Sequence, residues 1–281
     1  MEDFKNIQFE EKTPTDLNTV ISISKVIEMV SEPFDGQAIA QKTHDKHFNN
    51  PKSEYYRMSV DEILENWQER GAASRHYGTL LDNYIGLILT NADEMDVEMY
   101  KLDYDSDNDD RLTGLISSFD NFNNEILKAH PNLEYVNREQ TVYYKVSDGT
   151  YIKGRFDALF YNKDNGHYVI VDWKSSGTVD KKPSPWTGKL LGPAKNLYAL
   201  NYNTYSMQVY FYKTALEQMG YLPENSIVDC VIVQLPGSIL AESNKNYCVH
   251  NPAFEYDKLL LDQIFTYAIK KNMLLEKKNA K

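Results

Sequence analysis

The feature that most constrains the fold is a two-stranded stretch in the middle of the chain. Two runs rich in β-branched and aromatic residues, 150–161 and 167–175, are separated by the turn sequence Lys163-Asp-Asn-Gly166. Alternating apolar runs around an Asn-Gly turn predict an antiparallel hairpin. The sequence therefore places a β-sheet at the centre of the fold.

Three charged residues interrupt this hairpin. Asp157 lies on its first strand, and Asp172 and Lys174 lie on its second. Because side chains alternate along a strand, Asp172 and Lys174 point to one face and Trp173 to the other. Aspartate is disfavoured in strands and burying an unpaired charge is costly, so these residues suggest a functional site. The alternative is that the aspartates flank the strands and that Lys174 pairs with one of them.

Two carboxylates and an amine on one face suit a hard cation that prefers oxygen ligands, with a positive charge beside it. Hydrolysis of a phosphodiester needs both the cation and the positive charge beside it. Mg²⁺ or Mn²⁺ can bind the scissile phosphate and lower the pKa of a water, while a lysine orients that water. The pattern thus favours a metal-dependent phosphodiesterase.

These residues resemble the PD-(D/E)XK nuclease superfamily. Downstream, Gln208 and Tyr212 form the Gln-x-x-x-Tyr pattern that marks the RecB-type branch of that superfamily. Four residues apart on a helix, they share one face and could reach a DNA strand or position the site. The pattern alone is weak, but after the Asp…Asp-x-Lys hairpin it is a strong signal. The resemblance covers roughly residues 70–235.

The resemblance implies further metal ligands. The main-chain carbonyl of Trp173 would join Asp157 and Asp172, and Glu139 would be a secondary candidate because the family frequently has a glutamate there. The family's usual histidine is replaced by Asp82 in the stretch Tyr77-Gly-Thr-Leu-Leu-Asp82. A carboxylate also suits Mg²⁺ or Mn²⁺. His76 is the alternative, but six residues away on a helix it lies on the opposite side from Asp82.

The chain is acidic, with 41 acidic and 30 basic residues and a formal charge of −11. This is unusual for a nucleic-acid binder, because phosphate neutralisation drives affinity. A nuclease, however, needs only a local basic groove. Basic residues that lie near the motifs in sequence are Arg75, Arg155, Lys174, Lys181, Lys182, Lys189 and Lys195.

Two cysteines, Cys230 and Cys248, favour neither a disulfide framework nor the four-cysteine iron–sulfur cluster that some RecB-type nucleases carry. We expect no cluster and a reducing, cytoplasmic compartment. No apolar run is long enough for a membrane span, and no leader pattern is expected at the start.

The predicted element order gives the fold class. Helices are expected at 21–30, 36–44, 59–69, 73–90 and 112–128, then strands at 134–145, 150–161 and 167–175, then the Gln208 helix, strands at 227–235 and near Tyr247, and a helix from Tyr256. This order predicts an α/β (α+β) fold, a central mixed sheet flanked by helices with a restriction-endonuclease-like core. Residues 1–69 would be a helical extension and 70–281 the nuclease core.

Residues 177–203 are predicted to be a long loop beside the site, since they contain several Pro and Gly residues and show no clean period. Long loops in compact domains are more often functional than accidental. Trp186, Tyr198 and Tyr202 could stack on unpaired bases or pin the loop to the body.

The stretch Asp172-Trp-Lys-Ser-Ser176 is similar to that of phage recombination and replication nucleases and of the mitochondrial genome maintenance exonuclease. The resemblance implies an exonuclease that acts on DNA ends and leaves 5′-phosphates, in a phage setting and thus in the host cytoplasm. Two alternatives stay open. One is a DNA-binding protein on a nuclease fold that has lost catalysis, which the Asp82 substitution keeps open. The other is a structure-specific or sequence-specific endonuclease.

Overall fold

A computed structural model describes residues 12–104, 108–184, 187–240 and 244–279 of the chain. Its strands are β1 (Thr19–Ser22), β2 (Leu133–Ser147), β3 (Thr150–Asn162), β4 (His167–Lys174), β5 (Val228–Gln234) and β6 (Cys248–His250). Its helices are α1 (Ile23–Val30), α2 (Gly36–His47), α3 (Val60–Leu89), α4 (Glu94–Asp103), α5 (Asp110–Phe122), α6 (Asn201–Gln218) and α7 (Lys258–Asn279). A π-helical turn (Asn123–Leu127) follows α5, and a 3₁₀ turn (Gly192–Ala194) precedes α6.

β3 is the strand on which the sheet is built. β2 pairs antiparallel with it along its whole length. The other edge of β3 is shared by two strands, because β1 pairs in parallel with Thr150–Lys153 and β4 pairs antiparallel with Ala158–Asn162. β5 lies parallel to β4, and β6 lies antiparallel to β5. The sheet is therefore mixed, which confirms the predicted fold class.

Two hydrophobic layers cover the sheet. One contains residues of α1, α6 and α7, such as Val26, Phe211 and Phe265. The other contains residues of α3 and α5, such as Ile85 and Phe119. In each layer aliphatic and aromatic side chains exclude water from one face of the sheet, which is the main source of stability in such a fold. The strands that carry Asp157 and Asp172 therefore lie between two helical layers.

The helix that carries Asp82 is longer than predicted. Two helices were expected, over 59–69 and 73–90, whereas α3 is continuous from Val60 to Leu89. Its start is as predicted, since Ser59 and Glu62 form a reciprocal capping box. A single Gly71 costs a helix only about 1 kcal/mol, too little to end it. α3 also runs through residue 69, where the sequence placed the boundary between extension and core, and that division stays a prediction.

Two other elements differ from the prediction at the amino-terminal side. The expected helix over 21–30 begins only at Ile23, where Ser22 accepts a hydrogen bond from the Lys25 amide as its cap. The preceding residues form β1, whose partner Thr150–Lys153 is far away in sequence. α4 was not predicted, and none of its residues is buried. Neither element has the periodic apolar pattern on which sequence prediction depends.

No helix in the described parts of the chain is long and apolar enough to cross a membrane. Cys230 is buried and Cys248 partly buried, and both are free thiols.

Gly154 allows α6 to pack closely on β3. A Cβ at this position would lie 2.6 Å from Phe211 Cε1 and 2.9 Å from Tyr212 Cε1. We expect Gly154→Ala to lower the free energy of unfolding by about 1–3 kcal/mol, as overpacking of a core does. Gly177→Ala is the control, because a Cβ there meets nothing within 4 Å. Urea unfolding of both variants measures the difference, and equal midpoints would contradict the close packing.

Candidate active site

A cleft of about 560 Å³ lies between the middle of α3, strands β2 and β3, and the end of β4. Predicted site residues that line it are Asp82, Glu139, Asp157, Trp173 and Lys174. Two of the basic residues noted in the sequence, Arg75 and Arg155, line it as well. Arg75 and Lys174, 99 positions apart in sequence, thus meet in one place.

Asp157 lies where β4 separates from β3. The pairing of the two strands ends at Ala158 and Val171, so Asp157 has no strand partner from β4. Its carboxylate takes the place of one, since Oδ2 accepts a hydrogen bond of 2.7 Å from the Trp173 amide. The Asp157 carboxylate therefore bridges β3 and β4 at the point where the two strands diverge.

Asp172 is fully buried, with 0 % exposure, beside Lys174. Its Oδ2 lies 2.7 Å from Lys174 Nζ, and its Oδ1 has no hydrogen-bond partner in the described structure. Burial raises the pKa of Asp172, against the opposing effect of Lys174. Burial, and then the charge of Asp172, raise the pKa of Asp157 well above its usual range. Both carboxylates therefore lie in an environment that disfavours their negatively charged form.

This arrangement fits a divalent cation. Mg²⁺ and Mn²⁺ prefer carboxylate oxygens, and a cation between Asp157 and Asp172 would offset both their repulsion and their desolvation. The unpartnered Oδ1 of Asp172 is a ligand atom that nothing else in the described structure uses. The backbone of Trp173, whose carbonyl was the third proposed ligand, is held against Asp157 by its amide.

Lys174 is held by residues of α6. Its Nζ donates to Gln208 Oε1 at 3.2 Å, and Gln208 Nε2 donates to the Tyr212 hydroxyl at 2.7 Å. The ring of Tyr205 lies 4.7 Å below the ammonium. Although burial disfavours the ammonium, Asp172 and Asp157 outweigh it and raise the pKa of Lys174. The lysine therefore stays charged.

Tyr212 is only 1 % exposed. Burial and the charge of Asp172 raise the pKa of its hydroxyl well above the usual range. Of the two roles considered for the Gln-x-x-x-Tyr pattern, contact with a DNA strand or positioning of the site, these contacts favour positioning. Gln208 links Lys174 to this buried hydroxyl.

Asp82 faces the cleft but is paired with an arginine that sequence reasoning missed. Arg138 Nη2 lies 3.0 Å from Asp82 Oδ2 and donates to the Asp82 carbonyl at 2.9 Å. The guanidinium crosses α3 over Gly86, where a Cβ would lie 2.0 Å from Nη1. In the sequence, the position of Arg138 in a predicted strand does not distinguish it from an ordinary solvent-exposed residue. His76 is exposed, does not line the cleft and stacks edge-on with Tyr77.

Glu139 also has an arginine partner, since its Oε2 lies 2.7 Å from Arg155 Nη1. Its backbone has φ of +53°, the left-handed region, within a strand. Such strain is commonly found at functional sites. Burial, and then the charge of Asp82, raise the pKa of Glu139.

The side chains that the sequence suggests as metal ligands do not form one cluster. Among the described residues, no group of three or more His, Cys, Asp or Glu side chains lies close enough to hold an ion. The structure brings Asp157 and Asp172 together, and it leaves Asp82 and Glu139 in the same cleft with their arginines.

Comparison with protein families finds a match that covers most of the chain. Residues 46–270 match the family model described as the PD-(D/E)XK nuclease superfamily. A solved structure from Eubacterium rectale, described as a "putative exonuclease", is 12% identical, covers 89% of this chain and 87% of its own, and superposes with a TM-score of 0.42. None of the curated proteins matches the chain.

Proposed function

The chain belongs to the PD-(D/E)XK nuclease superfamily, and from that premise we propose that it is a metal-dependent deoxyribonuclease that degrades DNA from its ends. The observation that carries the proposal is the set of contacts among Asp157, Asp172 and Lys174 at the opening between β3 and β4. Two carboxylates that burial makes poor free anions, next to a charged lysine, are what hydrolysis of a phosphodiester requires.

Asp157, Asp172 and the Trp173 carbonyl would hold one Mg²⁺ or Mn²⁺. Such a cation supplies charge neutralisation at the phosphate and lowers the pKa of a bound water. Lys174 donates a hydrogen bond to the attacking water and orients it toward phosphorus. Gln208 and Tyr212 fix the lysine in that position. The water oxygen would bond to phosphorus as the bond from phosphorus to the 3′-oxygen breaks. The water gives up its proton to solvent and the 3′-oxygen takes one up, so the products carry a 3′-hydroxyl and a 5′-phosphate.

Asp82 and Glu139 are proposed to support this ion or a second one. Each would first have to leave its arginine, Arg138 or Arg155. An arginine released in this way could pair with a DNA phosphate, since guanidinium groups bind phosphate in the same geometry as carboxylate.

Action on DNA ends, in phage-type replication or recombination and in a host cytoplasm, is supported by the similarity of the Asp172–Ser176 stretch to phage and mitochondrial exonucleases. A structure-specific endonuclease would use the same metal site.

One observation favours a non-catalytic DNA-binding protein as the second candidate. Asp82, at the position of the family's usual histidine, is already neutralised by Arg138. If the ligand set is incomplete, the protein would bind DNA without cleaving it.

Cleavage of different DNA forms tests the proposal. We expect end-labelled linear DNA to be lost with Mg²⁺ or Mn²⁺ and preserved in EDTA, because the buried carboxylates cannot act without a cation. A covalently closed circle should survive, since it has no end. Linearisation of the circle would instead indicate an endonuclease. DNA that stays intact with either metal would favour the non-catalytic DNA-binding protein.

A further inference from the structure

A second cleft of about 570 Å³ lies beside the active site. Its lining includes the loop residues Thr178, Asp180, Lys181 and Lys182, and the strand residues Gln234 and His250. None of the candidate catalytic residues described above lines this second cleft.

The pairing of the strands shows that this cleft continues the active-site face. Lys174 lies opposite Gln234 in the parallel β4–β5 pair, and Gln234 lies opposite Cys248 in the antiparallel β5–β6 pair. Paired residues project to the same side of a sheet. Neighbouring strands are about 4.8 Å apart, so the cleft begins within roughly 10 Å of Lys174.

The floor of the second cleft is built from buried polar groups. Gln234 and His250 are 3 % and 5 % exposed. His250 Nε2 donates to Gln234 Oε1 at 3.1 Å, and Gln234 Nε2 donates to the Ser176 carbonyl at 3.0 Å. The buried amide thus ties the start of the loop, just after the catalytic strand, to the sheet.

The rim supplies positive charge. Lys181 and Lys182 are exposed and make no ion pair within the described part of the chain. Lys181 Nζ lies 6.0 Å from the centre of the Tyr202 ring. Among the described residues, Asp180 is the one carboxylate that lines the cleft, against these two ammonium groups. Tyr202, one of the aromatic residues that could stack on bases or pin the loop to the body, packs its ring 5.9 Å from that of His250 and donates to the Asn251 carbonyl. It supports the cleft rather than opening into it.

We propose that this second cleft binds the single DNA strand a few nucleotides from the scissile phosphate, with Lys181 and Lys182 on its phosphates. The inference rests on the proposed nuclease function and adds the path of the strand. A volume of this size suits a nucleotide-sized group, within the roughly 300–1,000 Å³ of small-ligand sites. A duplex is a larger object, since it has two strands on either side of a major groove about 12 Å wide.

Binding of a fluorescent single-stranded oligonucleotide in EDTA tests this path without cleavage. Each phosphate contact contributes about 0.7 to the slope of log Kobs against log[salt] for single strands. The double variant Lys181→Ser/Lys182→Ser should therefore lower the slope by roughly 1.4 and, at 0.1 M salt, weaken binding by roughly twentyfold. A blunt duplex should lose less.

The matched control is Lys277→Ser/Lys278→Ser, which removes the same charge from two adjacent exposed lysines at the end of α7. An equal effect of both double variants, or a larger loss on the duplex, would overturn the strand path. The outcome is separable from the nuclease proposal. If the wild type cleaves DNA but the Lys181/Lys182 double variant binds DNA equally well, only the proposed strand path is wrong. If binding depends on the two lysines but no cleavage occurs, only the proposed nuclease activity is wrong.

Discussion

Replacement of Lys174 by alanine is expected to lower the rate of DNA cleavage by about 10²–10³-fold, the usual cost of removing one preorganised donor from an active site. Lys174 is the charged group that contacts Asp172 and reaches the opening between the strands. Single-turnover cleavage of end-labelled DNA measures the loss. DNA affinity in EDTA should change far less, because the ammonium is mostly buried and faces carboxylates.

The loss must be separated from unfolding, since removal of one partner from a buried ion pair typically destabilises a protein by about 3–5 kcal/mol. Lys213→Ala is a matched control, because Lys213 and Lys174 both have side chains that are 17% exposed and both pair with an acid. Lys213 lies on α6 and does not line the active-site cleft. Thermal unfolding of both variants is measured alongside. A Lys174→Ala protein that cleaves as fast as Lys213→Ala would refute the catalytic role.

The second large effect is expected at Asp157, where asparagine should abolish metal-dependent cleavage and yet stabilise the metal-free protein. Asparagine keeps an oxygen that can accept from the Trp173 amide, but it removes the charge that burial and Asp172 disfavour. For each 1 kcal/mol of stabilisation, Tm should rise by roughly 2–4 °C. Mg²⁺ should raise Tm for the wild type only, because a ligand stabilises the state that binds it.

The stabilisation should depend on pH in a defined direction. The pKa of Asp157 is raised in the folded protein, so the folded state holds this proton more tightly than the unfolded chain does. Stability from this group is therefore complete at low pH and is lost as pH rises through the raised pKa. The advantage of Asp157→Asn should accordingly vanish in acid and grow toward neutral pH. Asp103→Asn, which removes an exposed charge on α4, is the control and should show no such growth.

Elements with strong local patterns were predictable from the sequence. The hairpin of β3 and β4 follows from its periodicity and turn, and the start of α3 follows from the capping box at Ser59. The same holds for Asp172 and Lys174, whose separation of two places them on one face. Local geometry is sufficient to predict what lies within one strand.

What could not be predicted depends on contacts between distant segments. β1 becomes a strand only because Thr150–Lys153 offers it an edge. Arg138 reaches Asp82 only because Gly86 lies between them on α3. The alternation of β3 also breaks at Asp157, since Phe156 and Leu159 face one core and Ala158 and Phe160 the other. Each of these facts follows from packing, which the period of a single strand does not encode.

The irregular backbone of β2 also affects how the protein behaves in concentrated solution. β2 is 15 residues long and, among the described strands, pairs only with β3, so its outer edge has no strand partner. Near one end of that edge, the Gln218 side chain hydrogen-bonds to the amide and the carbonyl of Lys145. A long regular edge of this kind would be a template for pairing with other molecules and for aggregation. A bulge near Val136 and the left-handed residue Glu139 interrupt that edge. The backbone turn that directs Glu139 into the cleft thus also makes the outer edge of β2 a poorer template for pairing with another strand.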